Sequence, residues 1–187
     1  AKAPTALNNL KELLHLLRHD FATGPVICRI TSTIPAERGM GSSAAVAVAV
    51  TRAFLAWQQV EETPTGLLHY VNTSEKIAHG NPSGIDAAAT SGTEPILFER
   101  QQPFIPFPLN LDGCLIVADT GVKGKTRDTV ADVAHLMSVA PTATKQIITR
   151  LGDLTREAKT AISANQSYRL GNLMNEAQAL LQQLSVS

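Results

Sequence analysis

The feature that most constrains this chain is a helix-length run from Ser42 to about Gln59 that is apolar on every side. It opens directly on the glycine loop Gly39-Met40-Gly41. A surface helix shows one apolar stripe, whereas a helix that is apolar all round must be covered by other elements. Its Ala and Val side chains are small enough for close packing, which predicts a sheet as the cover. Upstream, residues 26–34 partly alternate and are rich in β-branched side chains, which predicts a strand ended by Pro35. Strand, loop and buried helix therefore follow one another, with residues 36–41 as the loop.

The remaining segments are read from periodicity and punctuation. Leu7, Leu10, Leu13, Leu14 and Leu17 fall at helical spacing and predict an amphipathic helix over residues 4–18. Thr63 can cap a helix, Pro64 suits its first turn and Gly80 its stop, so residues 64–79 read as a second helix. Asn81-Pro82-Ser83-Gly84 is a turn, and a short helix begins over residues 85–89. Residues 95–98 and 114–118 read as strands. Between them Pro103, Pro106 and Pro108 mark a connecting loop and the best domain boundary. From Thr126 the pattern is helical, with a new helix starting at Pro141. Leu170, Leu173, Met174, Ala177, Leu180, Leu181 and Leu184 share one face near the end. The fold class expected is α+β, with residues 1–110 and 111–187 as two parts.

Charge and hydropathy remove several classes of function. Sixteen Lys and Arg balance 16 Asp and Glu, so there is no basic excess to meet a nucleic-acid backbone. The longest clean apolar run, residues 44–50, is far short of the ~20 residues that span a bilayer. No signal segment opens the chain. Cys28 and Cys114 read as reduced core residues. These features predict a cytoplasmic globular protein. The start at Ala1 and the weakly terminated end at Ser187 suggest a piece of a longer protein.

Three glycine signals compete. In Gly39-Met40-Gly41-Ser42-Ser43-Ala44, glycines let the backbone approach a ligand and the first free amides of the helix favour a phosphate. Ser42 and Ser43 add hydroxyls for phosphate oxygens or a metal ion. An ordinary strand-to-helix turn capped by Ser remains open for this signal alone. The same six residues fit a dinucleotide fingerprint with Glu61 or Glu62 as the ribose-binding acid. That fingerprint turns tightly off its strand, however, and here residues 35–38 intervene. Gly124-Lys125-Thr126 suggests a P-loop, but the spacing puts Asp119 where the first glycine belongs.

The densest polar stretch runs from Glu75 to Asp86. Glu75 and His79 are four apart on one helix face. Asp86 stands among Ile85, Ala87, Ala88 and Ala89, and a carboxylate in apolar company is costly unless paired. Helix capping or a salt bridge would explain Asp86. A general base for a hydroxyl proton, with Glu75 as a magnesium ligand, is the functional reading. The scattered His15, His19, His69, His79 and His135 match no zinc spacing.

The segment Ile34-Pro35-Ala36-Glu37-Arg38-Gly39-Met40-Gly41-Ser42-Ser43-Ala44-Ala45 resembles the phosphate-binding motif of the GHMP kinases, with Met40 where Leu is more usual. His79-Gly80-Asn81-Pro82-Ser83-Gly84-Ile85-Asp86 is similar to the branch of that family that phosphorylates mevalonate. So are residues 118–122 and 173–178. The resemblance implies an α+β nucleotide-binding domain followed by part of a ferredoxin-like domain. It implies ATP and Mg²⁺ as cofactors, mevalonate as substrate, and transfer of the γ-phosphoryl group to its terminal hydroxyl. Carried over by position, Pro35, Glu37, Arg38, Gly39, Met40, Gly41, Ser42 and Ser43 would hold the nucleotide. Ser43 and Glu75 would hold the metal, Asp86 would be the catalytic base, and Ser83, Gly84 and Thr120 would lie at the substrate. A homodimer fits the resemblance; nucleic acid and membrane partners do not. The family's amino-terminal lysine and its Gly-Glu-His segment have no counterpart here, nor has its carboxy-terminal glycine-rich loop, which would leave an isolated fragment inactive.

Two other readings remain open from the sequence, a NAD-dependent oxidoreductase and a non-catalytic nucleotide- or protein-binding module. Geometry around residues 39–43 separates them. A long loop capping a buried helix, with Glu75 and Asp86 facing it, points to a kinase. A tight turn within a doubly wound parallel sheet points to the oxidoreductase. A loop that no acidic group faces points to the module.

Overall fold

A computed structural model describes residues 7–35, 39–100, 102–114, 116–118 and 126–186, the side chains of residues 126–128 excepted. It divides into two compact units. The first comprises residues 1–93 with 98–104, the second residues 94–97 with 105–187.

The first unit is helical. Helix α1 (Asn8–Asp20) starts at Asn8 and ends two residues beyond the sequence expectation. Residues 4–6 of the expected helix lie outside the described residues. Helix α2 (Ser42–Trp57) is the Ala/Val run. Helix α3 (Pro64–His79) has the bounds expected of it. The Thr63 hydroxyl accepts a hydrogen bond from the Gly66 amide at 3.1 Å, and Gly80 leaves the helix at φ 77°. A side chain at Gly80 would be strained there. Helix α4 (Ile85–Ser91) is short and begins after the turn at residues 81–84.

These four helices pack into one core. Leu13, Leu17, Leu67 and Val71 are its largest fully buried side chains, joined by Ala44, Ala47, Val48, Val50 and Phe54 from α2 and Ala87 from α4. Each fully buried Leu or Val contributes on the order of 1.5–3 kcal/mol. Phe21, Phe54, Tyr70 and Trp57 extend the core as a chain of ring contacts, with centroids 5.4–6.5 Å apart. The packing partners of α2 are α3, α4 and α1, not the sheet expected. Ala49, Arg52, Ala53 and Ala56 are exposed, so α2 is covered on one side only.

Two strand expectations fail. Residues 26–34 form no ladder with any described residue, and Ile27 is fully exposed. A strand exists only through a partner's hydrogen bonds, and alternation in the sequence cannot supply one. Among residues 114–118, Leu115 lies outside the described residues, and Ile116 and Val117 are exposed without pairing. Cys28 and Cys114 are free, as expected, but both are exposed rather than in the core, since each belongs to one of these unpaired segments.

In the second unit β1 (Ile96–Leu97) pairs antiparallel with β2 (Ile105–Pro106), Ile96 opposite Pro106 and Leu97 opposite Ile105. The strand expected over residues 95–98 is thus present, and the proline segment read as loop supplies its partner. The Phe107 amide extends the ladder to the Pro95 carbonyl at 3.0 Å. Helices α5 (Thr126–Val139), α6 (Pro141–Ser163) and α7 (Ser167–Gln183) follow, with α6 starting at the expected Pro141. Leu154, Ala161 and Leu173 form the buried contact of α6 with α7, flanked by Leu151, Leu170, Ala177 and Leu180. Met174, expected on the buried face, is half exposed. At the α6–α7 turn Asn165 has φ 53°, and its side-chain amide exchanges two hydrogen bonds with Asp112 at 2.7 and 2.9 Å.

A charge network crosses the α6–α7 surface. Arg150 makes two parallel bonds to Glu176 at 2.7 and 3.0 Å and one to Glu157 at 2.8 Å. The hydrogen bonds from Arg150 hold both carboxyls below their ordinary value. Because the folded values are depressed, this contribution is complete above the ordinary 4.5 and is lost as the pH falls through the lower folded values. Arg150→Met is therefore expected to speed hydrogen exchange of the α7 amides near neutral pH and at low salt. The difference from the parent should close on acidification or at high ionic strength.

Candidate active site

The site is built where α2, α3 and α4 meet in the first unit. Gly39 and Gly41 have φ of 69° and 63°, the left-handed region that lets the loop turn into α2. Gly41 is the residue before the helix, and no side chain caps it. The Ala45 amide bonds back to the Gly41 carbonyl at 2.9 Å, so the amides of Ser42, Ser43 and Ala44 are left at the open end of α2. Backbone donors and the helix dipole both favour an anion there.

Two carboxylates belong to this end of the helix. Glu75, on α3, is 3% exposed and its Oε1 accepts a hydrogen bond from Ser43 Oγ at 2.7 Å. His79 Nε2 stands 3.6 Å from Glu75 Oε2, one turn along. Asp86 is in the first turn of α4. A Cβ built on Gly41 would lie 3.8 Å from Asp86 Oδ1 and 3.3 Å from Thr90 Cγ2, so α4 approaches the glycine closely. Glycine at position 41 thus serves both the turn and the approach of α4. Asp86 is exposed, and its carboxylate takes no hydrogen bond among the described residues. The cost expected from its apolar neighbours does not arise, because Ala87 and Ala88 turn into the core while Asp86 turns out.

Other expected site residues are placed as follows. Met40 and Pro35 are exposed on the loop. Glu37 and Arg38 lie outside the described residues, as does Thr120. Ser83 Oγ accepts from the Ile85 amide at 3.3 Å, within the turn that leads into α4. Gly84 has φ 92°, and a Cβ there would touch the Phe98 ring at 3.7 Å. Gly124 and Lys125 of the rejected P-loop pattern also lie outside the described residues.

Sequence reasoning missed Asn9 and Ser74, a buried pair bonded at 3.1 Å beside Glu75. A polar residue at helical spacing from Leu13 and Leu17 was the available signal. The dinucleotide reading loses its scaffold, since the sheet among the described residues is a two-stranded antiparallel ladder. Its candidate acid Glu62 is held by Arg52 at 2.8 and 3.0 Å, and the hydrogen bond from Arg52 keeps its carboxyl below the ordinary range.

The profile of the GHMP kinases N terminal domain matches residues 6–93. Residues 6–93 are thus similar to that domain. The chain is 34% identical over 176 residues to a mevalonate kinase of Aeropyrum pernix, covering 94% of this chain and 54% of that protein. It is 30% identical to a mevalonate kinase of Pyrococcus furiosus, covering 100% of this chain and 57% of that one. A crystal structure of L. major mevalonate kinase in complex with R-mevalonate superposes with a TM-score of 0.71 at 23% identity. That match covers 97% of this chain and 59% of the other, and it establishes the α+β GHMP kinase fold. The chain spans little more than half the length of these relatives. The matched residues include the segments 34–45 and 79–86, two of the four that carry the resemblance.

Proposed function

We propose that this chain carries the phosphate-binding and catalytic portion of an ATP-dependent mevalonate kinase. The reaction transfers the γ-phosphoryl group of ATP to the terminal hydroxyl of mevalonate and yields 5-phosphomevalonate. The observation that carries the reading is the convergence of three groups at one helix end. They are the free amides of residues 42–44, the Ser43–Glu75 hydrogen bond and the Asp86 carboxylate beside Gly41. The similarity to curated mevalonate kinases supports the choice of substrate. Residues 1–110 and 111–187 are then read as parts of the family's N-terminal and C-terminal domains.

Phosphoryl transfer asks the protein for positioning and charge stabilisation more than for covalent chemistry. In this reading the amides of Ser42, Ser43 and Ala44 cradle the phosphates without reorganising, because the helix already holds them. Pro35, Glu37, Arg38, Gly39 and Met40 complete the nucleotide loop. Ser43 and Glu75 offer two hard oxygen donors 2.7 Å apart, a set that fits Mg²⁺, which takes few protein ligands and completes its shell with phosphates and water. Bound there, the ion would neutralise developing charge on the phosphate oxygens. Asp86, free of other partners among the described residues, orients the attacking hydroxyl and accepts its proton. Ser83, Gly84 and Thr120 are assigned to the substrate side.

Cytoplasmic location and a homodimer extend the same reading, with no nucleic-acid or membrane partner. Charge balance supports the former exclusion. Among the described residues no helix is long and apolar enough to cross a membrane.

The test is ADP release by the full polypeptide that carries this chain, measured with mevalonate and with homoserine, galactose and phosphomevalonate. Mevalonate-dependent ADP release is expected. Release driven equally by another alcohol, or by none, would reject the substrate assignment. Glu75→Gln, which removes a charge but keeps an oxygen, is expected to raise the magnesium concentration needed for half-maximal rate.

A further inference from the structure

Asn9 and Ser74 make a side-chain hydrogen bond between residues 65 positions apart, and both are buried. Elsewhere, the buried Thr51 hydroxyl bonds back to the Ala47 carbonyl, and that of Thr144 bonds to the carbonyls of Ala140 and Leu136, so both meet backbone rather than another side chain. The Asn9–Ser74 bond instead crosses from α1 to α3 and is buried, whereas the other side-chain bond between these helices, from the Tyr70 hydroxyl to Asp20 at 3.0 Å, lies at the exposed far end of α1. Two apolar side chains of the same size would serve stability as well or better, since a buried hydrogen bond yields little net gain. Its effect is directional. Ser74 and Glu75 are consecutive on α3, about 100° apart around its axis. Ser74 is tied to α1, while Glu75 is tied to Ser43 on α2. These two polar contacts on adjacent faces restrain the rotation of α3 about its own axis at the turn that carries Glu75. Leu67 and Val71, the apolar anchors of the same helix, would tolerate small rotations that a 3.1 Å hydrogen bond does not.

We propose that Asn9 is a positioning residue for the metal site, acting through Ser74 to hold the Glu75 carboxylate at Ser43. The proposal rests on the assignment of Glu75 as a magnesium ligand. Replacing both partners, as Asn9→Leu with Ser74→Ala, leaves no buried polar group unpaired and should keep the melting temperature at or above that of the parent. Helix α3 then loses the buried restraint next to Glu75, and the Tyr70–Asp20 bond, more than a turn away, remains. Loss of groups that orient metal ligands typically weakens metal affinity ~10–100-fold.

The test is calorimetric titration of ADP into the full polypeptide at a series of Mg²⁺ concentrations, together with its thermal melt. The parent, the double variant, Ser74→Ala alone and Glu75→Gln are compared. At least a roughly 10-fold rise in the Mg²⁺ concentration for half-maximal ADP affinity is expected for the double variant, with the melt unchanged. Ser74→Ala should show the same shift and decides the matter if the double variant does not fold. A shift in Glu75→Gln without one in the other variants would overturn the positioning role and leave the metal assignment standing. No shift in Glu75→Gln would remove the metal assignment and the proposal with it.

Discussion

Asp86→Asn is expected to lower turnover by about 10²–10⁴-fold, the contribution typical of a positioned general base. Nucleotide affinity should stay near that of the parent. The substitution keeps the shape of the side chain and a hydrogen-bonding oxygen but removes the capacity to take a proton. Asp86 is exposed at the start of α4 and supports no packing, so the fold has no reason to respond. Its neighbours Ala87 and Ala88 anchor α4 instead. Single-turnover phosphoryl transfer and ADP binding, measured on the same preparation, separate the two effects. Near-normal transfer in Asp86→Asn would reject the base assignment. Equal losses in transfer and in ADP affinity would move Asp86 from proton acceptance to nucleotide binding.

Leu13→Ala is expected to destabilise the first unit by roughly 2–5 kcal/mol, the range for a buried leucine truncated in a core. Leu13 is fully buried in the cluster shared by α1, α2 and α3. Alanine is the better helix former, so the loss would come from the cavity and from transfer energy rather than from α1 itself. Because α1 braces α3 and thereby Glu75, magnesium-dependent ADP binding should weaken at temperatures where the parent is still intact. Urea unfolding followed by Trp57 fluorescence measures the stability change. A change of no more than the ~0.5 kcal/mol typical of a surface substitution would show that α1 is not part of this core.

Local signals are legible in this sequence, and non-local ones are not. The bounds of α3 follow from Thr63, Pro64 and Gly80, and each acts within one helical turn. Pro141 starts α6 for the same reason. The loop glycines at 39 and 41 also show their need for positive φ without help from distant residues. Residues 26–34, by contrast, carry the alternation of a strand but have no described partner. Pairing is a property of two segments, and no pattern within one of them reports it. Cys28 is exposed for the same reason. The apolar sequence neighbours of Asp86 do not report its surroundings, because helical rotation sends Ala87 inward and Asp86 outward. For the site itself, the residue types came from the motifs. The meeting of Ser43 with Glu75, 32 positions apart, required the packing of α2 on α3.

The central claim is that one bound triphosphate is held jointly by the amides opening α2 and by a metal ion on Ser43 and Glu75, with Asp86 alongside. Anomalous diffraction from crystals of the full polypeptide with Mn²⁺ and a non-hydrolysable ATP analogue tests it most directly. The account predicts a manganese peak at coordination distance from Ser43 Oγ and a Glu75 carboxylate oxygen, with phosphate oxygens on the amides of residues 42–44. A manganese peak distant from Glu75, or phosphates bound away from the start of α2, would contradict it.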